Sequence, residues 1–380
     1  MRRATLSVPY GAEYAELLAS AQRQTRNTRM TSAPANDRPY YGFDYLRAVL
    51  SIAIVAWHAR LLGESSIFSE TGFSGHHLQV SDVINLHFFL LAVPTFILVS
   101  LFLTYRKLRG NPKYIVGRVE GFVYLYVFWV GLWTLYNWKE IRMPSLDFDY
   151  VWYVLRYAAT GGSSEYYFFF SLIIVTCLCY FAAKLTRPLL WILLTGSLLL
   201  IWLFPIGVSR LGWPTFLIAS WDPLNFVPYI FIAALASDYL RDEMQRRVGS
   251  LRFKIILLLL LVLALLAATW EWLRLPDESN FVAGNAFALP SYTRLSIVAG
   301  ASLVFLMAFF VRHRPGKYIM FLSDYSLGLY CIHPLVLKLY DSVAGSHDSF
   351  VWVLGKFLMA VILSLVCAVL LRRLLTKRLV

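Results

Sequence analysis

An arginine and a histidine stand eleven positions apart, at Arg47 and His58, in an apolar stretch near the start of the chain. Eleven residues make almost three turns of α-helix, so both side chains share one face and lie roughly 16 Å apart along its axis. Asp44 and Ser51 fall near the same stripe. Ionisable side chains are costly in a bilayer and usually face a protein interior or a watery cavity. This face is therefore the first place to look for chemistry.

The two side chains suit different steps of a group transfer. The guanidinium of Arg47 can hold a phosphate or carboxylate through forked hydrogen bonds. A neutral imidazole at His58 can act as a general base toward a hydroxyl or a thioester. The structural alternatives are an Arg47 side chain that reaches the lipid headgroups and a His58 ring that only packs between helices. The shared face favours a functional pair.

A second polar stripe lies in a late apolar run, where Tyr330 precedes His333 by three residues. The His333 side chain can orient a substrate or support charge on His58. The structural alternative is that His333 only makes an inter-helix hydrogen bond before a kink at Pro334. Glu271 lies near the end of another apolar run, beside two tryptophans. It can bind an acceptor hydroxyl, or it can sit at the membrane interface.

The composition is that of a polytopic helical membrane protein. Of the 380 residues, 59% are hydrophobic and only 15% are charged, and runs of about 20 apolar residues recur. The net charge of +13 is then typical of cytoplasmic loops near anionic lipid, so nucleic-acid binding is not indicated. The four cysteines lie inside apolar runs without ligand spacing, which predicts neither a disulfide framework nor a metal site.

The apolar runs predict a bundle of ten membrane-spanning helices. The candidate spans are about 44–62, 82–104, 115–137, 165–183, 188–206, 222–240, 253–273, 293–311, 318–340 and 351–371. Lysine and arginine concentrate in every second connection and after the last span, as the positive-inside rule requires. Both termini are therefore predicted to be cytoplasmic.

Three segments follow from this layout. Residues 1–40 are polar and rich in arginine and predict a disordered basic cytoplasmic tail. Residues 41–373 form the transmembrane domain, and 374–380 form a short cytoplasmic tail. The connection after the second span carries Arg106 and Arg109, which can bind donor phosphates or can simply set the topology.

Three segments resemble the acyltransferase-3 family of transmembrane acyltransferases. The first is FDYLRA at 43–48, with ten residues between Arg47 and His58. The second and third are AVPTFILVSLFL at 92–103 and YSLGLYCIHPLV at 325–336, and the resemblance covers 40–372. Three features differ from the family pattern: Leu101 replaces a glycine, Arg118 lacks a second arginine three residues later, and EYYF at 165–168 replaces a segment that often contains histidine or tryptophan.

The resemblance implies transfer of an acyl group, acetyl by default, from a cytoplasmic coenzyme-A thioester to an extracytoplasmic hydroxyl, usually of a cell-envelope glycan. It implies His58 as the catalytic histidine and Arg47 as part of the donor pocket. The expected partners are acyl-CoA, the glycan acceptor and membrane lipids, with no nucleic acid, resident cofactor or metal. The expected location is a bacterial inner membrane.

Two other functions are open at this stage. A transporter or flippase of a lipid-linked or small anionic substrate would also use a buried arginine and histidine. The chain lacks the internal repeats that are typical of many transporters, which favours the enzyme. A noncatalytic assembly subunit is the third alternative, and the oligomeric state stays open.

Overall fold

The computed structural model describes residues 40–62, 84–85, 87–139, 148–214, 217, 219, 221–239, 251–274, 292, 294–344 and 349–374. Every regular element within these residues is helical, as expected for backbone that must satisfy its hydrogen bonds away from water. The twelve α-helices of this described part of the chain are α1 Tyr41–His58, α2 Ala92–Gly110, α3 Tyr114–Tyr136, α4 Phe148–Ala159, α5 Tyr167–Ala182, α6 Arg187–Leu211, α7 Val227–Tyr239, α8 Leu251–Arg274, α9 Leu295–Ala308, α10 Lys317–Asp324, α11 Ser326–Ala344 and α12 Phe350–Leu374. Short 3-10 turns precede α2 and α7, at Phe89–Leu91 and Pro223–Phe226.

Several of these helices have the length and composition of membrane spans, which confirms a polytopic helical membrane protein. Five described segments qualify alone: Phe89–Gly110, Tyr114–Tyr136, Arg187–Val208, Leu251–Glu271 and Phe350–Leu374. The bent pair α10 and α11 would make a sixth, and α5 and α9 are shorter apolar helices. Helix α1 is not among the five because its charged and polar residues lower its mean hydropathy. The total of ten spans and the cytoplasmic termini stay predictions.

An aromatic cluster holds α1 against α2 and α9. The ring of Phe43 stacks on Phe305 at 5.6 Å between centroids and meets Phe102 edge-on at 5.7 Å. Gly42 lets the backbones approach closely, since a Cβ there would lie 1.9 Å from the carbonyl oxygen of Ala308. Edge-to-face and offset aromatic pairs of this kind stabilise a core beyond their buried area. The cluster fixes the start of α1, the helix that carries Arg47 and His58.

The predicted ninth span is two helices rather than one. The axes of α10 and α11 differ by 64°, and the break lies at Tyr325. The hydroxyl of Ser326 donates to the carbonyl of Ser323 at 2.8 Å, a side-chain bond that competes with regular helix geometry. Pro334, the residue expected to kink this span, lies within α11.

One helix was not predicted from the sequence, and several predicted segments lie outside the described residues. Helix α4 lies in a connection for which no helix was predicted, and its apolar side chains Val151 and Trp152 are exposed. The predicted tails at 1–40 and 374–380 fall outside the described residues, except for Tyr40 and Leu374. Most of the basic connection 241–254 lies outside them as well.

Candidate active site

A cavity of about 880 Å³ lies among α1, α2, α3, α5, α10 and α11. Most of its wall is apolar, which suits the burial of a largely organic ligand. The polar groups in the wall come from five of the six helices: Arg47, Ser100, Arg118, Glu120, Tyr124, Ser323, Asp324, Ser326 and Tyr330. Glu120 and Asp324 are exposed, so the acidic charge lies at the rim.

Two arginines face this cavity. Arg47 lies 3.9 Å from the carboxylate of Asp44, which in turn accepts a hydrogen bond of 3.1 Å from Ser323. Arg118 donates to Ser100 Oγ at 3.2 Å, and its buried Nε has no hydrogen-bond partner among the described residues. Both guanidinium groups line this cavity, so two positive charges face the same space. An anion between them would offset these charges and give the free N–H a partner.

Tyr330 connects the cavity with a cluster of ionisable side chains. Its ring lies 5.8 Å from that of His333, and the rings of His333 and His58 lie 5.3 Å apart. The sequence prediction that the stripes of α1 and α11 face each other therefore agrees with the structure. The Tyr330 hydroxyl donates to the backbone carbonyl of Glu165, which ties the cluster to the start of α5.

The tautomer of His333 follows from its partner. Nδ1 lies 3.1 Å from the carbonyl oxygen of Leu329, which can only accept, so Nδ1 carries the proton in the neutral ring. Nε2 is then a bare acceptor, and it is buried without a hydrogen-bond partner among the described residues. His333 is 0% exposed, so a lone pair there is available only to a group inside the site.

His58 contacts the carboxylate of Glu165, a residue outside the predicted site. Its Nδ1 lies 3.4 Å from Oε1 of Glu165, and both side chains are 28% exposed. His58 is the last residue of α1, where the helix dipole favours positive charge. Glu165 and Arg118 were visible in the sequence only as differences from the family pattern. A signal for each existed: Arg118 interrupts an apolar run, and Glu165 follows the turn-forming sequence GGSS at 161–164.

Two predicted site residues, Ser51 and Glu271, make contacts away from the cavity. Ser51 is buried and donates to the carbonyl of Ala48 at 3.0 Å, which satisfies its hydroxyl locally. Glu271 accepts hydrogen bonds from the backbone and hydroxyl of Ser296, at the junction of α8 and α9. Neither residue lines the cavity as far as the chain is described.

The arginines predicted to bind the donor from the second connection also lie apart from the cavity wall. Arg109 forms an ion pair with Asp238, and Arg187 lies 3.6 Å from the same carboxylate. This contact joins the ends of α2, α6 and α7. Neither Arg106 nor Arg109 is among the described residues that line the cavity, where Arg118 instead accompanies Arg47.

Comparison with known proteins assigns the chain to a family. No curated protein matches the chain. The family model of the acyltransferase-3 group, described as an acyltransferase domain, matches residues 40–372 and so covers nearly the whole chain. The match includes both arginines of the cavity and the cluster around His58. The chain therefore belongs to the acyltransferase-3 family, and this membership indicates a membrane acyltransferase.

Proposed function

We propose that this protein transfers an acyl group, acetyl by default, from a cytoplasmic acyl-CoA to a hydroxyl of an extracytoplasmic glycan. One observation carries the proposal beyond family membership: a single cavity holds two arginines and also reaches Tyr330, which packs against the histidine cluster. A thioester donor needs this combination, because its phosphates require cations while its acyl carbon must reach a base or nucleophile.

The donor lies with its phosphates at Arg47 and Arg118. The free Nε–H of Arg118 and the two positive charges in the cavity wall both favour a bound anion. The predicted topology places Arg47 near the cytoplasmic end of α1, on the side from which acyl-CoA arrives. The apolar wall, which includes Ile54 and Phe96, encloses the rest of the donor.

His58 performs the proton transfer. In a direct transfer its Nε2 takes the proton of the acceptor hydroxyl as the oxygen attacks the thioester carbonyl, and the thiolate leaves and is protonated. In a covalent route the same nitrogen attacks the thioester carbonyl and expels the CoA thiolate. The acceptor hydroxyl then attacks the acyl-imidazole, its proton goes to the thiolate, and the free imidazole is restored. Tyr330 and His333 orient the reacting groups in either route.

The proposed location is a bacterial inner membrane.

The test separates transfer from transport. The protein is reconstituted in liposomes and given acetyl-CoA that carries one label on the acetyl group and another on CoA, with an envelope oligosaccharide as acceptor. We expect the acetyl label to enter the oligosaccharide while the CoA label is recovered as free CoA. A transporter would instead move both labels together without any acetylated product, and that result would overturn the proposal.

A further inference from the structure

The connection between α4 and α5 is a strained turn. Gly161, Gly162 and Ser163 all have positive φ, at 60°, 73° and 56°. Two of the three are glycine, the residue that tolerates this conformation, whereas Ser163 adopts it at an energetic cost. A Cβ on Gly161 would lie 2.2 Å from the backbone nitrogen of Tyr167. The turn therefore packs directly onto the start of α5.

Contacts from two other helices hold this turn in place. Trp133 on α3 donates from Nε1 to the carbonyl of Gly162 at 3.1 Å. On α11, Tyr330 donates to the carbonyl of Glu165, and the carbonyl of Cys331 accepts from Tyr166 at 2.6 Å. On the side of the turn, these bonds use the backbone carbonyls of Gly162 and Glu165 and the side chain of Tyr166. The Glu165 carboxylate is not needed for them, so the turn holds it without depending on it.

The group presented by the turn is the carboxylate that contacts His58. Its Oε1 lies 3.4 Å from Nδ1 of His58, and the two residues are far apart in the chain, so the pair exists only in the folded bundle. We propose that Glu165 is a positioning residue for His58, which it orients and whose charge it stabilises during proton transfer. This inference rests on the proposed function, because it takes His58 to be the catalytic base.

The chemistry follows from the nitrogen that is contacted. A carboxylate beside Nδ1 favours the tautomer with the proton on that nitrogen, which leaves Nε2 bare to accept a proton from the acceptor hydroxyl. When Nε2 takes that proton, the ring becomes an imidazolium beside a negative charge. The carboxylate then stabilises the positive ring, as in hydrolases that use a carboxylate to orient a histidine. His333, whose ring lies 5.3 Å away, offers no negative charge for this task.

The test compares three substitutions of Glu165. Glu165→Gln keeps the shape and removes the charge, Glu165→Asp keeps the charge with a shorter reach, and Glu165→Ala removes both. Replacement of the orienting carboxylate in serine hydrolases costs about 10⁴-fold in kcat. Since His58 and Glu165 are partly exposed here, we expect Gln and Ala to lower kcat about 10- to 10³-fold. The KM for acetyl-CoA should stay unchanged, and Asp should retain more activity than Gln.

A control and a double variant make the result specific. Asp341→Asn removes a carboxylate from the exposed ion pair with Lys356 on α11 and α12, and it should leave kcat unchanged. Glu165→Gln combined with His58→Ala should be no slower than His58→Ala alone, because the carboxylate acts through the histidine. Thermal unfolding of each purified variant should match the wild type, since the backbone contacts of the turn remain.

The outcomes also separate this inference from the proposed function. Wild-type kcat in Glu165→Gln, together with an inactive His58→Ala, would overturn the role of Glu165 and leave the acyltransferase mechanism standing. Additive losses in the double variant would also overturn it. Full activity in His58→Ala would instead remove the proposed mechanism on which the inference rests.

Discussion

Arg118 gives the most quantitative prediction about the donor. Its Nη2 already donates to Ser100, whereas its buried Nε–H has no hydrogen-bond partner in the described part of the chain. A donor phosphate bound here as proposed would gain about one charge-assisted hydrogen bond, worth roughly 1.5–3 kcal/mol. That free energy corresponds to about 10- to 150-fold in affinity.

The perturbation is Arg118→Gln, which keeps a polar side chain and removes the charge. We expect the KM for acetyl-CoA to rise by roughly 10- to 150-fold, with a much smaller change in kcat, because the phosphates are remote from the acyl carbon. Arg118→Lys should fall between, since it keeps the charge without the fork geometry. Arg156→Gln is the matched control, because Arg156 is an exposed arginine on α4 that does not line the cavity.

The assay uses two donors with the same acetyl thioester. Acetyl-CoA carries the phosphates, and S-acetyl-pantetheine lacks them. Initial rates of acetyl transfer with each donor should show that Arg118→Gln weakens only the phosphorylated one. The same loss with both donors, or an unchanged KM for acetyl-CoA, would refute the assignment of Arg118 to the phosphates.

Three further predictions concern α1, the strained turn and the topology. Arg47→Lys should weaken the binding of labelled acetyl-CoA while membrane insertion stays normal, because the bidentate geometry of the guanidinium is lost. Unchanged binding in Arg47→Ala would mean that Arg47 only contacts the lipid headgroups. Gly161→Ala should destabilise the protein by more than about 1–2 kcal/mol, because the cost of a left-handed backbone adds to that of a backbone clash. Gly196→Ala in α6 is the control: its new methyl group meets open space, so this variant should unfold at a temperature no lower than wild type. A reporter fused at Gly75 should be extracytoplasmic and one after Thr104 cytoplasmic, and a cytoplasmic signal at Gly75 would overturn the predicted direction of transfer.

The sequence predicted the helices well where apolar periodicity was long. The runs behind α2, α3, α6, α8 and α12 are long enough to define each helix without tertiary information. Helix α4 and the break at Tyr325 were missed for physical reasons. Helix α4 has only 12 residues, and the break lies beside a local serine hydrogen bond rather than at a proline or glycine.

Parts of the site were predictable and others were not. Arg47, Tyr330 and His333 lie as helical spacing suggested, because one helix face is fixed by the period of the helix alone. The proximity of Glu165 to His58 depends on how a strained turn packs against α1 and α11, which a single helix cannot reveal. Charge alone could not separate the arginines: Arg109 forms an ion pair with Asp238, whereas Arg118 lines the cavity and has no acidic partner among the described residues.

The most direct test of the central claim is the rate of acetyl transfer by purified His58→Ala protein. Labelled acetyl-CoA and envelope oligosaccharide are supplied at saturation, and the product is measured at equal protein levels for wild type, His58→Ala and His333→Ala. Removal of a positioned base costs about 10²–10⁴ in rate, so the His58→Ala product should fall near background, while His333→Ala loses less. Acetyl transfer by well-folded His58→Ala at the wild-type rate would contradict the account.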